Sequence, residues 1–195
     1  MAGGPEDKRR LILDAAVRVF AREGYHDARV GDISKEAGVA YGLVYHYFTS
    51  KEAVLEAVFR ETWGLMLTAI RGVEERGGPA PDQLRRVCAI VLRSWRDDPD
   101  LVRVLVREVA RSPQIQREID EIEQAFAALE RIVERGQEEG TFTRDLSARM
   151  VALMLYGALE EILTGWVMSQ LPDDDDAVAE AERTIVALFA QGLCR

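Results

Sequence analysis

The stretch VGDISKEAGVAYGLVYHYFTSK, residues 30–51, decides how this 195-residue chain begins to fold. It reads as a short helix, a turn and a second short helix, which is the pattern of a helix-turn-helix. Gly38 follows Ala37 where a helix end favours a left-handed residue, and the chain re-enters a helix at Ala40 or Tyr41. The second helix carries polar aromatic side chains next to Lys51. Such neutral hydrogen-bonding groups beside a cation suit a phosphate backbone and the edges of a groove.

This segment resembles the DNA-binding region of the TetR family of bacterial transcription repressors, and the resemblance extends on both sides of it. Upstream, Ile12–Ala16 with Phe20, Gly24 and Tyr25 resembles that family's first helix and its end. Downstream, Ser50–Leu55 resembles the start of its fourth helix. A lone helix-turn-helix pattern is common by chance, but three consecutive matching elements at matching separations are not. The resemblance implies a DNA-binding repressor.

The resemblance also implies which residues contact DNA, position by position. Those expected at the DNA surface are Arg29, Ala40, Tyr41, Gly42, Tyr45, His46, Tyr47 and Lys51. Gly42 permits close approach, the tyrosines and His46 reach phosphates or base edges, and Lys51 pairs with phosphate at the start of the next helix.

Two positions depart from the family pattern. Where the family often has Ser or Thr, this chain has Val30 and Ala40, so a phosphate contact or a helix cap worth about 1 kcal/mol is lost. Arg29 compensates if it reaches a phosphate. For two aromatic residues, simple packing inside the three-helix domain competes with a DNA role: packing is favoured for Phe48 and DNA contact for Tyr45.

The overall charge at first argues against a nucleic-acid partner, because the chain carries a net charge of −9. Its distribution answers the objection: residues 1–51 hold eight basic and seven acidic residues, whereas the rest holds 17 basic and 27 acidic ones. The acidic remainder repels phosphates, so only the N-terminal end is expected to meet DNA. With 48% hydrophobic and 30% charged residues, the composition excludes a disordered chain.

Glycine and proline breaks between segments of helical apolar spacing predict an all-α chain of about nine helices. The expected ranges are about 5–23, 31–37, 41–47, 51–75, 82–96, 100–111, 113–139, 147–170 and 174–193. They divide into a helix-turn-helix DNA-binding domain, residues 1–50, and a ligand-binding and dimerisation domain, residues 51–195. No apolar run approaches the ~18 residues that span a bilayer, and no signal peptide is evident, so we expect a cytoplasmic protein without a membrane partner.

A row of arginines occurs where a repressor would receive its input. Arg96, Arg103, Arg107 and Arg111 recur at intervals of seven, four and four, so the last three line one helical face. A solvated face is the commoner explanation, since Glu108 lies one position round the helix. The alternative is an anion site for a phosphorylated ligand, which guanidinium groups fit well.

Large apolar residues are abundant in the same part of the chain. Those that we expect to line a ligand site are Trp63, Leu67, Val91, Trp95, Leu105, Val109, Phe126, Leu129, Met154 and Trp166. Core packing is the default for each one separately, but together they can form a tunnel for a long aliphatic chain. Neither Cys88 nor Cys194 has the spacing of a zinc site or disulfide framework, so no metal or cofactor is expected.

A second resemblance concerns the effector. Gly157–Met168, with Glu118–Ile122 before it, looks like the FadR group of the TetR family, repressors of fatty-acid degradation genes released by long-chain acyl-CoA. This resemblance implies that Arg111, supported by Arg103 and Arg107, contacts the CoA phosphates. It agrees with the residues, because acyl-CoA is an anion at one end and a hydrocarbon at the other.

Small residues in the last two helices predict a subunit interface. Ala152, Gly157, Ala158 and Gly165 let helices approach closely, and a two-fold four-helix contact would form a homodimer. Burial in a monomer core is the alternative. A dimer reads a palindromic operator in double-stranded DNA whose half-sites lie about 34 to 36 Å apart or a little more.

Two other functions compete with an acyl-CoA-responsive repressor. An enzyme is disfavoured, because His26 and His46 are the only histidines and no nucleophile, metalloprotease or phosphate-loop motif is present. A repressor that answers to a cationic drug or other small hydrophobic molecule would need buried carboxylates, for which Glu160 and Glu161 are candidates.

Overall fold

The computed structural model describes residues 4–109 and 120–193, and these residues form nine α-helices. The helices are α1 (Pro5–Glu23), α2 (Val30–Glu36), α3 (Tyr41–Tyr47), α4 (Lys51–Arg76), α5 (Ala80–Asp97), α6 (Pro99–Val109), α7 (Asp120–Glu138), α8 (Ala148–Val167) and α9 (Asp175–Leu193). The described residues contain no strand. The all-α prediction is therefore confirmed, with a helix-turn-helix at the N-terminus.

The helices group into two compact units. The described residues of 1–62 and 100–118 form the first unit, and those of 63–99 and 119–195 form the second. The first unit thus contains α1 to α3, the beginning of α4, and α6. Helix α4 belongs to both units, because it runs without a break from Lys51 to Arg76.

Most helix ends lie within a few residues of the predicted breaks, because glycines stop the helices there. Gly24, Gly38 and Gly140 all have positive φ, which favours glycine, and Gly38 with φ of 65° follows α2 as expected. Helix α8 ends at Val167, three residues before the predicted Gln170. The carbonyl of Gly165 accepts hydrogen bonds from the amides of residues 170 and 171 there, which turns the chain out of the helix.

The first unit has a small apolar core built from the inner faces of its helices. Its buried residues include Ile12, Ala16, Val19, Phe20, Ile33, Val44, Phe48, Val54 and Phe59. Ion pairs from Arg18 and Arg22 to Glu36 join α1 to α2, at 2.9 Å and 3.3 Å. One side of α3 packs against this core, because Val44 and Phe48 are buried one turn apart.

The second unit is built around α5, α7, α8 and α9, which contact one another. Gly136 on α7 lies against Phe142, which is fully buried. Helix α7 and the segment that carries Phe142 can approach this closely only without a side chain at position 136. Two polar contacts attach the later part of α4 to α7: Arg131 pairs with Glu74 at 2.9 Å, and Arg71 donates to Gln124 at 2.7 Å.

Helix α8 is more apolar than we predicted from the sequence. By length and composition alone α8 could cross a membrane, with a mean hydropathy of 1.4, which corrects the expectation that no segment approaches that limit. The reason is that α8 is apolar on two sides. Val151, Leu155 and Leu159 are buried inside the unit, whereas Met150 and Met154 are exposed on the outer side.

Candidate DNA interface and effector-binding cluster

Helix α3 presents an exposed polar aromatic face. Tyr41 and Tyr45 are 56% and 44% exposed, and Gly42 and His46 are exposed beside them. The buried Val44 anchors the opposite side of the helix in the core of the first unit. Because an α-helix has 3.6 residues per turn, burying position 44 turns positions 42, 45 and 46 outward, and Tyr41 is exposed as the first residue of the helix. Four of the predicted surface residues are therefore brought together on one short helix.

The two tyrosines of this face are hydrogen-bonded to each other. Their hydroxyl oxygens lie 3.3 Å apart in a hydrogen bond, and their ring centroids are 5.2 Å apart with the planes inclined at 60°. This hydrogen bond raises the pKa of Tyr45 above its usual value, so the Tyr45 hydroxyl stays protonated at neutral pH. Next to them, no atom lies within 4 Å of where a Cβ on Gly42 would be. The face thus offers two hydroxyl groups beside an open stretch of backbone.

The remaining α3 positions and the start of α2 frame this face. Tyr47 is half-buried and meets the His46 ring edge-on, with 5.2 Å between ring centroids. Ala40 and Arg29 are exposed at the starts of α3 and α2. The cap expected to be lost at Val30 is replaced, because the Asp32 carboxylate accepts a hydrogen bond from the Arg29 amide at 3.1 Å. The Arg29 side chain forms no part of that cap.

Lys51 has hydrogen-bond partners within the protein that were not predicted from its sequence. Its Nζ donates to the carbonyls of Tyr25, His26 and Ala28 at 2.6, 3.1 and 2.9 Å, and it lies 4.5 Å from the centroid of the Tyr25 ring. The ammonium group therefore closes the loop between α1 and α2 onto the start of α4. Its contact with a DNA phosphate remains a prediction, and that contact must share the ammonium with this loop.

The second unit contains an aromatic cluster, which we call the tryptophan–tyrosine cluster and define as Trp63, Phe126 and Tyr156. The Tyr156 ring lies 4.7 Å from the Phe126 ring, edge to face, and 6.1 Å from the Trp63 ring, measured between centroids. Elsewhere in the unit, Trp95 and Trp166 form a second aromatic pair at 6.3 Å. Both of these indoles are almost fully buried.

The other predicted lining residues of the second unit differ in exposure. Leu67 and Leu129 are buried, and Val91 is half-buried. Met154 is 64% exposed, so the structure does not bring it into the buried set. Its position on the outer side of α8 explains this, because Leu155, the next residue, takes the inner side.

Tyr156 was not predicted from the sequence, and Glu160 was predicted only as a candidate for the competing drug response. Burial and the nearby Glu160 charge raise the pKa of the Tyr156 phenol, which stays protonated. Burial and, secondarily, Glu161 raise the pKa of Glu160. The spacing of four residues between Tyr156 and Glu160 could have shown that they share one face of α8. What the spacing could not show is that Phe126 and Trp63 meet the same face.

Of the described arginines of this row, Arg103 and Arg107 lie in the first unit and Arg96 lies in the second. Arg103 donates to Asp100 at 2.6 Å and is partly neutralised, and Arg107 and Leu105 are half-buried on the same helix. Arg96, in the second unit, pairs with Asp175 and also donates to the Asp173 carbonyl at 3.0 Å. The Val109 side chain and the whole of Arg111 lie outside the described residues.

An exposed apolar strip, which we call the α8 strip, consists of Met150, Leu153 and Met154. These residues are 54%, 42% and 64% exposed, and Leu188 on α9 is 66% exposed. The predicted interface residues divide between two environments: Gly157 is exposed, whereas Ala152 and Gly165 are buried inside the unit. Gly165 in particular packs against Leu171 of the same chain.

No cluster of His, Cys, Asp or Glu among the described residues could hold a metal ion.

Comparison with known proteins assigns both parts of the chain. Residues 12–58 match the model of bacterial regulatory proteins of the tetR family, and residues 59–190 match that of the C-terminal region of YsiA-like proteins. The fatty acid metabolism regulator protein of Bacillus subtilis is 30% identical over 184 residues, which cover 93% of each chain.

Two solved structures extend this comparison to three dimensions. The fatty acid degradation regulator FadR of Bacillus halodurans superposes with a TM-score of 0.82 and 29% identity, covering 94% of this chain and 98% of that one. FadR of Bacillus subtilis, in complex with stearoyl-CoA, has a TM-score of 0.85 and 28% identity, with the same coverage. Both likenesses span the two compact units.

Proposed function

Because the chain belongs to the TetR family of bacterial regulatory proteins, we propose that it is a dimeric repressor that long-chain fatty acyl-CoA releases from operator DNA. It is a transcriptional regulator related to FadR, and its relatives are regulators rather than enzymes. The genes under its control would be those of fatty-acid degradation.

The α3 face would enter the major groove of a palindromic operator. Tyr41 and Tyr45 would donate hydrogen bonds to phosphates or base edges, and the open backbone at Gly42 would allow α3 to approach closely. Arg29 at the start of α2 would supply a phosphate contact. Net positive charge is low in this part of the chain, so sequence-independent affinity should be modest.

One observation carries the effector assignment: the FadR that holds stearoyl-CoA matches 94% of this chain, including the helices that form the tryptophan–tyrosine cluster. Trp63, Phe126 and Tyr156 offer apolar surface for an acyl chain, with buried Leu67 and Leu129 in the same unit. As a separate part of this proposal, predicted from the sequence alone, Arg103, Arg107 and Arg111 would bind the CoA phosphates, since guanidinium groups form paired hydrogen bonds with phosphate oxygens.

Release would follow from the continuity of α4. This helix leads directly from the DNA-binding region into the second unit, so an effector that shifts its later part also shifts the start at Lys51. In a dimer the two α3 helices would then lose the spacing of successive major grooves. Acyl-CoA achieves this only if it binds the DNA-incompetent spacing more tightly than the competent one.

Gel-shift titration of the DNA upstream of the protein's own gene tests the proposal. We expect a shifted band that disappears when stearoyl-CoA is added and persists with CoA alone, since CoA lacks the acyl chain. Persistence of the band with stearoyl-CoA would overturn the effector assignment. Failure to shift any upstream duplex would overturn the repressor assignment.

A cationic effector is the second candidate, and one observation favours it. Glu160 is a partly buried carboxylate whose charge acts on the nearby Tyr156, and the Tyr156 ring lies 6.1 Å from the Trp63 ring, measured between centroids. Aromatic rings with an acid can bind an organic cation. Mass spectrometry of the ligand extracted from the purified protein separates the two candidates. An acyl-CoA supports the first proposal, and a quaternary amine or cationic drug supports the second.

A further inference from the structure

The tryptophan–tyrosine cluster contains a hydrogen-bond donor for which the described residues provide no acceptor. Trp63 Nε1 is fully buried, and it has no hydrogen-bond partner there. A buried N–H without an acceptor costs free energy, and a tryptophan N–H usually finds a partner when it is buried. The donor is thus available to a ligand that brings an acceptor into the cluster.

The neighbours of Trp63 define the acceptor that fits. Tyr156 lies 6.1 Å away between ring centroids, and the raised pKa of its half-buried phenol keeps it protonated, so it is a neutral group rather than an anion. Phe126 packs against Tyr156 with 4.7 Å between ring centroids and contributes only apolar surface. A neutral donor among aromatic rings suits a neutral carbonyl oxygen, because such an oxygen accepts a hydrogen bond without the cost of burying a charge.

A carboxylate ligand would meet a different neighbour. Glu160 follows Tyr156 by one helical turn on α8, and Glu161 comes directly after it. Partial burial strengthens the repulsion between like charges, because the surrounding dielectric is lower than that of water. A free fatty acid, which is ionised at neutral pH, would therefore be repelled here, whereas a thioester would not.

We infer that Trp63 Nε1 donates a hydrogen bond to the thioester carbonyl of an acyl effector and that Glu160 excludes free fatty acids. This inference rests on the proposed acyl-CoA response and deepens it, because it explains how the protein would distinguish the activated acyl group from the acid.

Calorimetric titration of the full-length protein with dodecanoyl-CoA and with dodecanoate tests the inference. Trp63→Phe keeps an aromatic ring but removes the donor, so the affinity for dodecanoyl-CoA should fall by roughly three- to tenfold. Glu160→Gln keeps the shape but removes the charge, so it should bind dodecanoate at least tenfold more tightly than the wild type does. Thr68→Val is the control, since that hydroxyl donates within α4 to the Gly64 carbonyl and should not affect either ligand.

The outcomes separate this inference from the proposed function. If the wild type binds dodecanoyl-CoA and Trp63→Phe binds it equally well, the donor role is wrong and the acyl-CoA response stands. Equal binding of dodecanoate by the wild type and Glu160→Gln removes the exclusion role. If the wild type binds no acyl-CoA but binds choline in a manner that Glu160→Gln abolishes, both the inference and the acyl-CoA response are wrong.

Discussion

At the scale of single residues, Lys51 shows how a site predicted from a family pattern can also be structural. Its ammonium group donates to three carbonyls of the loop between α1 and α2, a loop 23 to 26 residues away in the chain. Spacing along the sequence contains no sign of such a contact, because it arises only when the core brings the loop to the start of α4. The family resemblance implied that Lys51 contacts a DNA phosphate, but it did not imply these three carbonyl acceptors.

Replacing Lys51 should therefore reduce stability as well as DNA affinity. Lys51→Met removes the charged donor of all three carbonyls, and we expect the free energy of unfolding to fall by about 2 kcal/mol, measured by urea denaturation. Lys35→Met, at an exposed position on α2, is the control and should leave stability unchanged. An unfolding free energy unaltered by Lys51→Met would show that the three hydrogen bonds do not hold the loop.

Tyr25 predicts a specific dependence of stability on alkaline pH. Burial, with smaller effects from Glu52 and Glu108, raises the pKa of Tyr25 to about 12, against about 10 in the unfolded chain. The unfolded state loses this proton first, so the stabilisation is complete below pH 10 and is lost as the pH rises to about 12. Between those values the melting temperature of the wild type should fall more steeply than that of Tyr25→Phe. Parallel curves would contradict the assignment.

At the scale of helices, the sequence predicts most of the fold because glycine and proline mark the ends. Gly38 and Gly140 take positive φ after α2 and α7, and Pro5 opens α1. The end of α8 was misplaced, since it depends on Leu171 folding back over Gly165, a contact that no local pattern encodes. The tryptophan–tyrosine cluster was predicted only in part for the same reason: Trp63 and Phe126 were recognised as apolar, but Tyr156 joins them only through packing.

Close packing of α7 predicts a strong effect from one methyl group. A Cβ on Gly136 would press against the Phe142 ring and lie 2.8 Å from Ala80 Cβ, so Gly136→Ala should lower the free energy of unfolding by about 1 to 3 kcal/mol. On Gly64 of α4 a Cβ would meet nothing within 4 Å, so Gly64→Ala should be neutral or stabilising by up to about 1 kcal/mol. Equal melting temperatures for the two variants would show that the α7 contact adapts without cost.

At the scale of the whole molecule, the α8 strip should be the centre of the dimer. Its side chains are exposed although they are large and apolar, and a two-fold contact would bury them against their own copies. The double variant Leu153→Glu, Met154→Glu should sediment as a folded monomer and should lose operator binding, since one α3 helix alone reads half of a palindrome. Leu65→Glu, at a 73% exposed leucine on α4, should remain dimeric. A dimer that persists in the double variant would move the interface elsewhere.

We propose that acyl-CoA acts on the spacing of the DNA-binding regions within an intact dimer. Sedimentation velocity of the protein on fluorescently labelled operator DNA, with stearoyl-CoA added stepwise, measures this directly. We predict that free DNA appears together with free dimers that carry the effector. Release of the protein as monomers, or a complex in which DNA and stearoyl-CoA are bound together at saturation, would show that acyl-CoA does not act through this spacing.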